Sequence, residues 1–183
     1  VETISDNALM LKVKDGDIDK MGLLYDRYHK QLYRFLFNMT RQKELSEDMV
    51  QNIFLRMLKY PDGFAGFGEF RMWMYHIARN AVYDHFRKVK RSPPSTDIKE
   101  YEERIAGDSQ SDKKIEKDQE IEMLETAMMG LTDENRELLI MSRFEELKYN
   151  EIATILNTTE GAVKVRVHRA LNQLKNNFIN IKK

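Results

Sequence analysis

Apolar residues recur along this chain at intervals of three and four, the spacing of one face of an α-helix. Over Lys20–Phe37 they fall at Leu23, Leu24, Tyr28, Leu32, Phe35 and Leu36, and a shorter run over Asn7–Lys14 precedes them. Ser46–Tyr60 repeats the pattern with Met49, Val50, Ile53, Phe54, Met57 and Leu58. Ser46 suits an N-cap there, and Glu47 and Asp48 suit the positive end of a helix. Pro61-Asp62-Gly63 ends that element, and Gly63, Gly66 and Gly68 keep the next residues non-helical. Phe70–Lys90 is the longest uninterrupted helical pattern. Helices are expected again over Ile115–Met129, from a cap at Thr132 to about Phe144, over Tyr149–Leu156 and over Glu160–Ile179.

Ser92-Pro93-Pro94-Ser95 breaks the chain, and the acidic, apolar-poor stretch that follows reads as a linker. No segment alternates with a period of two, so no sheet is expected. The prediction is an all-α chain of two small helical domains, residues 1–91 and 119–183, joined by a flexible acidic linker over 92–118. The linker could extend to roughly 90 Å at about 3.3–3.6 Å per residue. Protease cleavage within it is expected to leave two folded halves.

Composition narrows the functions. Gly (8) and Pro (3) are scarce, against a sandwich or barrel rich in tight turns. The absence of cysteine excludes disulfides, thiol catalysis and cysteine–zinc sites, and suits a reducing cytoplasm. No apolar run approaches the roughly 18 residues of a membrane span, and Val1–Met10 lacks a basic segment followed by an apolar core. Neither membrane insertion nor a signal peptide is expected. The glycines after Pro61 lack the preceding strand and the Lys-Ser/Thr of a phosphate loop. His29, His76, His85 and His168 are scattered. Only His29 has a carboxylate three residues earlier, Asp26, whereas a helical di-iron site needs two such pairs. No catalytic residue, metal or cofactor is expected.

Charge points elsewhere. Lys+Arg and Asp+Glu are equal at 30 each, but they are not evenly spread. Residues 71–91 carry six cations and one acid, and residues 148–183 carry seven cations and two acids. Between them, residues 92–125 carry eleven acids and five cations. Two basic blocks around an acidic middle suggest two contacts with one polyanion.

At about 100° per residue, Phe70, Met74, Ile77, Ala78 and Ala81 form the core-facing stripe of the first basic block, with Trp73 and Asp84 near its margin. His76, Arg79, Asn80, Tyr83, Arg87 and Lys90 share the opposite face, which carries no acid. Cations beside an aromatic ring suit a single strand, because the ring stacks on bases while the cations follow phosphates.

In the second block, Ile152, Ala153, Ile155 and Leu156 form a short helix core, Asn157 suits a left-handed turn, and Thr159 suits the next N-cap. Val163, Val167, Ala170, Leu171 and Leu174 then face inward. Lys164, Val165, His168 and Arg169 face outward, with Arg166 on the flank. This is the form of a helix-turn-helix whose second helix enters the major groove. Val165 has no hydrogen-bonding side chain, so a thymine methyl is its natural partner there.

Three segments resemble bacterial RNA polymerase sigma factors of the extracytoplasmic-function (ECF) type. ELSEDMVQNIFLRMLKY (44–60) resembles the family's core-polymerase-binding helix. FRMWMYHIARNAVYDHFRKVKR (70–91) resembles its promoter-melting helix. LTDENRELLIMSRFEELKYNEIATILNTTEGAVKVRVHRALNQL (131–174) resembles its C-terminal promoter-binding domain. The resemblance implies binding to core RNA polymerase through Asp48, Gln51, Asn52 and Phe54, and the helix period adds Leu55, which with Asp48, Gln51 and Asn52 falls away from the core-facing Met49, Ile53 and Met57. It implies contact with a melted minus-ten element through the helix around Arg79, Asn80 and Tyr83. It also implies an extruded base captured in the glycine loop, near Phe64 or Phe67. It implies minus-thirty-five contacts by Lys164, Val165, His168 and Arg169, and it makes an anti-sigma factor a further expected partner. Lys148, Asn157 and Val165 stand where the family usually has Ser, Gly and Ser, which bears on the preferred DNA sequence. A helix-turn-helix regulator that binds duplex DNA without polymerase is the alternative reading.

Overall fold

The computed structural model describes residues 4–66, 68–91 and 112–182, with side chains from 118 onward in the last stretch. All regular structure among them is helical. The first half contains α1 (Asp6–Lys14), α2 (Lys20–Thr40), α3 (Lys43–Lys59), a 3-10 turn (Pro61–Gly63) and α4 (Phe70–Arg91). The second contains α5 (Asp112–Met129), α6 (Asp133–Leu139), a π segment (Ile140–Phe144), α7 (Tyr149–Ile155) and α8 (Glu160–Ile181).

In the first half, Leu9, Met10, Leu24, Leu32, Phe35, Ile53, Met57, Phe70 and Met74 are buried in one core, as the three-and-four spacing requires. Two local expectations fail. Ser46 does not cap α3, which begins at Lys43. Instead its hydroxyl is buried, donating to Gln42 O at 2.6 Å and lying 3.0 Å from the Thr40 hydroxyl. Asp84 is exposed and pairs with Arg87, while Val82 and Phe86 on either side of it turn to the core instead. At the other boundary α5 takes over 112–118, the end of the stretch expected as linker, and residues 92–111 lie outside the described residues.

In the second half, α6 and α7 pack on α8. Thr132 caps α6 by accepting from Asn135 N–H, and Thr159 caps α8 by accepting from Ala162 N–H, both as expected. Asn157 takes the left-handed conformation (φ 51°) that turns the chain between α7 and α8. Lys148 supplies no side-chain cap to α7. The Glu151 carboxylate accepts from the Lys148 N–H at 2.6 Å, so half of a capping box remains. Leu138, Leu139, Ile140 and Met141 are all buried. Four consecutive apolar residues cannot lie on one helical face, so this segment is covered on more than one side.

The second cover is the first half of the chain. The halves pack together, α4 against α7 and α2 against α6 and the π segment, and their buried residues form one connected cluster.

Candidate nucleic-acid and polymerase interfaces

The face of α4 opposite its core stripe meets α6 and the turn after the π segment. Arg79 Nε lies 2.9 Å from Glu137 Oε1. The charges pair at that distance, but the N–H does not aim at the oxygen, so neither atom gains an aligned hydrogen bond. Tyr83 donates its hydroxyl to Glu137 Oε2 at 3.1 Å, and the Arg79 guanidinium lies 4.8 Å from the centre of the Tyr83 ring. Lys90 Nζ is 4.0 Å from Asp133. His76 and Arg87 stay exposed, and Asn80 lies beside His76 at 3.3 Å.

A second buried carboxylate sits one turn further toward the start of α4. Glu145 is 2% exposed and accepts from the Tyr75 hydroxyl at 2.7 Å. Arg34 approaches the same oxygen at 3.6 Å, and Arg71 donates to the Glu145 carbonyl at 2.8 Å. The π segment brings this residue in. Its wider turn sends the Glu145 N–H back to Ile140 O at 3.0 Å and aims the side chain at α4. Arg71 also pairs with Glu151 at 3.7 Å, and Arg41 pairs with Glu125.

Burial pushes the Glu137 carboxyl above its ordinary value of 4.5, and Arg79 and Tyr83 offset that only in part. The charge of Arg166 on α8 acts on it in the same direction as Arg79, more weakly. Burial, then the facing carboxylate, raises the Tyr83 and Tyr75 hydroxyls, so both remain neutral donors. A raised carboxyl binds its proton more readily when docked than when free. Its contribution to docking is therefore complete below about 4.5 and is lost as pH rises through the raised value. Glu137→Gln, which cannot titrate, is expected to dock at least as firmly as the wild type at neutral pH. It should lack the compaction that the wild type gains from this group on acidification, read by small-angle scattering across that range.

The outward face of α8 stays open to solvent. Lys164, His168 and Arg169 are exposed, and Val165 is 50% exposed. The expected polymerase face is also open at Asp48, Gln51, Asn52 and Leu55, the last 60% exposed. Phe54 is a correction. It belongs to the inward stripe of α3, is 4% exposed, and meets Tyr25 edge-on at 5.0 Å. Phe64 is a second: it is 2% exposed and packs on Trp73 and Phe70, so it is loop core and presents no free ring to a base. Phe67 lies outside the described residues.

Glu137 and Glu145 escaped the sequence reading. The only signal was the local excess of acid over residues 126–147, five acids against two cations, next to a hydrophobic run.

Among known proteins, residues 24–92 match the Sigma-70 region 2 family and residues 121–174 match the family Sigma-70, region 4. The chain is 32% identical over 155 residues to the ECF RNA polymerase sigma factor SigM of Bacillus subtilis (strain 168), spanning 83% of this chain and 91% of SigM. It is 29% identical over 161 residues to the RNA polymerase sigma factor YlaC of the same organism, spanning 87% and 92%. The solved structure of CnrH with the cytosolic domain of CnrY superposes with a TM-score of 0.70 at 19% identity, over 93% of this chain and 95% of that one. The sigma factor RpoE of Bartonella quintana, solved with the anti-sigma factor NepR, gives 0.63 at 22% identity over 91% and 99%. At these identities the two structures speak for the fold alone.

Proposed function

Since this chain belongs to the ECF family of RNA polymerase sigma factors, we propose how its surfaces divide the work of directing core polymerase to a promoter. The outward face of α8 reads the duplex minus-thirty-five element. The α4 face around Arg79, Asn80 and Tyr83 holds the melted minus-ten strand, flanked by His76, Arg87 and Lys90. The glycine loop before α4 receives an extruded base. Asp48, Gln51, Asn52 and Leu55 on α3 meet core polymerase. The chain works by binding, with the chemistry left to polymerase, and it acts in the cytoplasm. By likeness to RpoE, an anti-sigma factor is a further proposed partner.

The observation that carries this division is the state of the two basic faces. One is open on a capped helix after a tight turn, and the other is charged, aromatic and paired with carboxylates that a nucleic-acid phosphate could replace. The test is run-off transcription with core polymerase, with and without the protein. Specific initiation only in its presence supports the reading, whereas a duplex-binding regulator gives none.

Two smaller effects follow. Asp48→Ala with Gln51→Ala is expected to lower core-polymerase affinity several-fold while leaving helicity unchanged, because both side chains are exposed. Co-purification with polymerase and circular dichroism check the pair. Val165→Ser is expected to reduce the preference for thymine over uracil at one upstream position by up to about fivefold, since one methyl contact is worth on the order of 1 kcal/mol. Its salt dependence should not change. Lys164→Ala should instead weaken all sequences and flatten the salt slope. Unchanged wild-type affinity after thymine-to-uracil replacement throughout the element would remove the methyl contact from the account.

A further inference from the structure

The glycine loop rests on α1. Asn7 holds it with both ends of one amide: Nδ2 donates to Gly68 O at 2.8 Å, and Oδ1 accepts from Phe70 N–H at 2.7 Å. The amide has only this orientation available, because a carbonyl must accept and an N–H must donate. Phe70 is the first residue of α4, so its N–H has no partner within the helix. Gly68 (φ 95°) and Gly66 (φ 74°) occupy backbone regions that favour glycine.

The next turns of α1 continue the contact. A methyl added at Gly66 would lie 3.4 Å from Leu11 Cδ2, and Lys14 Nζ donates to Phe64 O at 3.3 Å. Positions 7, 11 and 14 share one face of a helix. That helix is anchored in turn, since Asp6, next to Asn7, accepts from both Arg27 and Tyr28 on α2.

We propose that Asn7 is a positioning residue for base capture. It fixes the exit of the glycine loop and the first N–H of α4 in the geometry that receives the extruded base, without touching DNA itself. The inference rests on the loop assignment proposed above. Without the amide, Gly68 O and Phe70 N–H lose their common partner, and two glycines are free to explore the conformations that glycine allows. Asn7→Asp separates the two bonds: it keeps an acceptor for the Phe70 N–H but turns a second acceptor toward Gly68 O.

The test uses holoenzyme assembled from core polymerase and the full chain, on a promoter already mismatched over the bubble. An abasic site is walked through the non-template minus-ten strand and complex lifetime is read. With the wild type, one position is expected to cost about tenfold, the scale of a single stacked base. With Asn7→Ala that penalty should fall to about twofold, because the intact template loses lifetime and the abasic one does not. Asn7→Asp should also lose the penalty, with a fall in melting temperature no larger than that of Asn7→Ala, because the acceptor for the Phe70 N–H remains. Amide exchange over 64–70 should rise in both variants. A tenfold penalty that survives Asn7→Ala, or equal weakening on intact and abasic templates, would make Asn7 a stabilising residue only and overturn the proposal. A wild type with no sensitive position would overturn the loop assignment, and the proposal with it.

Discussion

Glu137→Arg is expected to part the two halves of the free chain and raise its affinity for a minus-ten single strand at least tenfold. In the docked state the new cation would stand where Arg79 now finds a carboxylate 2.9 Å away. Two unit charges about 4 Å apart repel by about 4 kcal/mol at an effective dielectric of 20. Little water is available to relieve that repulsion, because Glu137 is 1% exposed. Tyr83 would lose its acceptor in the same step. The separated form leaves Arg79 and Tyr83 unpaired and ready for phosphate and base. Small-angle scattering should report a larger radius of gyration, and fluorescence anisotropy should report the tighter strand binding. A compact particle with unchanged binding would show that Glu145 and the apolar contacts suffice for docking. Glu137→Gln should not produce this effect, since an amide sets no cation against Arg79 and burial disfavours the charged carboxylate it replaces. The contrast between Gln and Arg therefore separates loss of a charge from its reversal.

Tyr83→Ala is expected to slow open-complex formation on duplex promoter by about tenfold or more, since stacking one base on an aromatic ring is worth about 1–3 kcal/mol. On a template already mismatched over the bubble the loss should be smaller, because unpairing no longer has to be driven by capture of the strand. Tyr83→Phe should retain most of the activity in holoenzyme. It keeps the ring and removes only the hydroxyl, whose partner in the free chain is Glu137. The same Phe variant should loosen docking in the free chain. Permanganate footprinting on the two templates, with all three proteins, distinguishes strand capture from a general folding defect. Equal losses on both templates would assign Tyr83 to structure.

Much of this was legible in the sequence because it is local. Apolar spacing placed every helix, Thr132 and Thr159 acted as caps, and Asn157 turned the chain as a residue tolerant of positive φ should. The basic faces were legible for the same reason: which residues share a helix face depends only on the helix period. What was missed is non-local. The period shows that Phe54 belongs with Ile53 and Met57, but also that it follows exposed Gln51 and Asn52, so its direction was settled only by packing against Tyr25. Phe64 sits in a loop without periodicity, and its burial depends on Trp73 and Phe70 coming beneath it. Ser46 looked like a cap because the helix start was placed too late. Glu145 could not be found by any local rule. Its partners Tyr75 and Arg71 lie 70 or more residues earlier, and a π turn, rather than a regular helix, aims it at them.

The chain contains one tryptophan. Trp73 lies under the glycine loop, where a methyl added at Gly63 would come within 3.4 Å of its Cζ2 and where Phe64 packs on its ring at 5.4 Å. It is half-buried on the first turn of α4. Its emission therefore comes from a single site, and that site is the floor of the proposed base pocket. Seating a base in the loop would change the polarity and quenching around this indole, with no dye attached. Stopped-flow fluorescence of the free chain, excited near the red edge where tyrosine is silent, would then time the loop's response to strand, separately from the parting of the two halves.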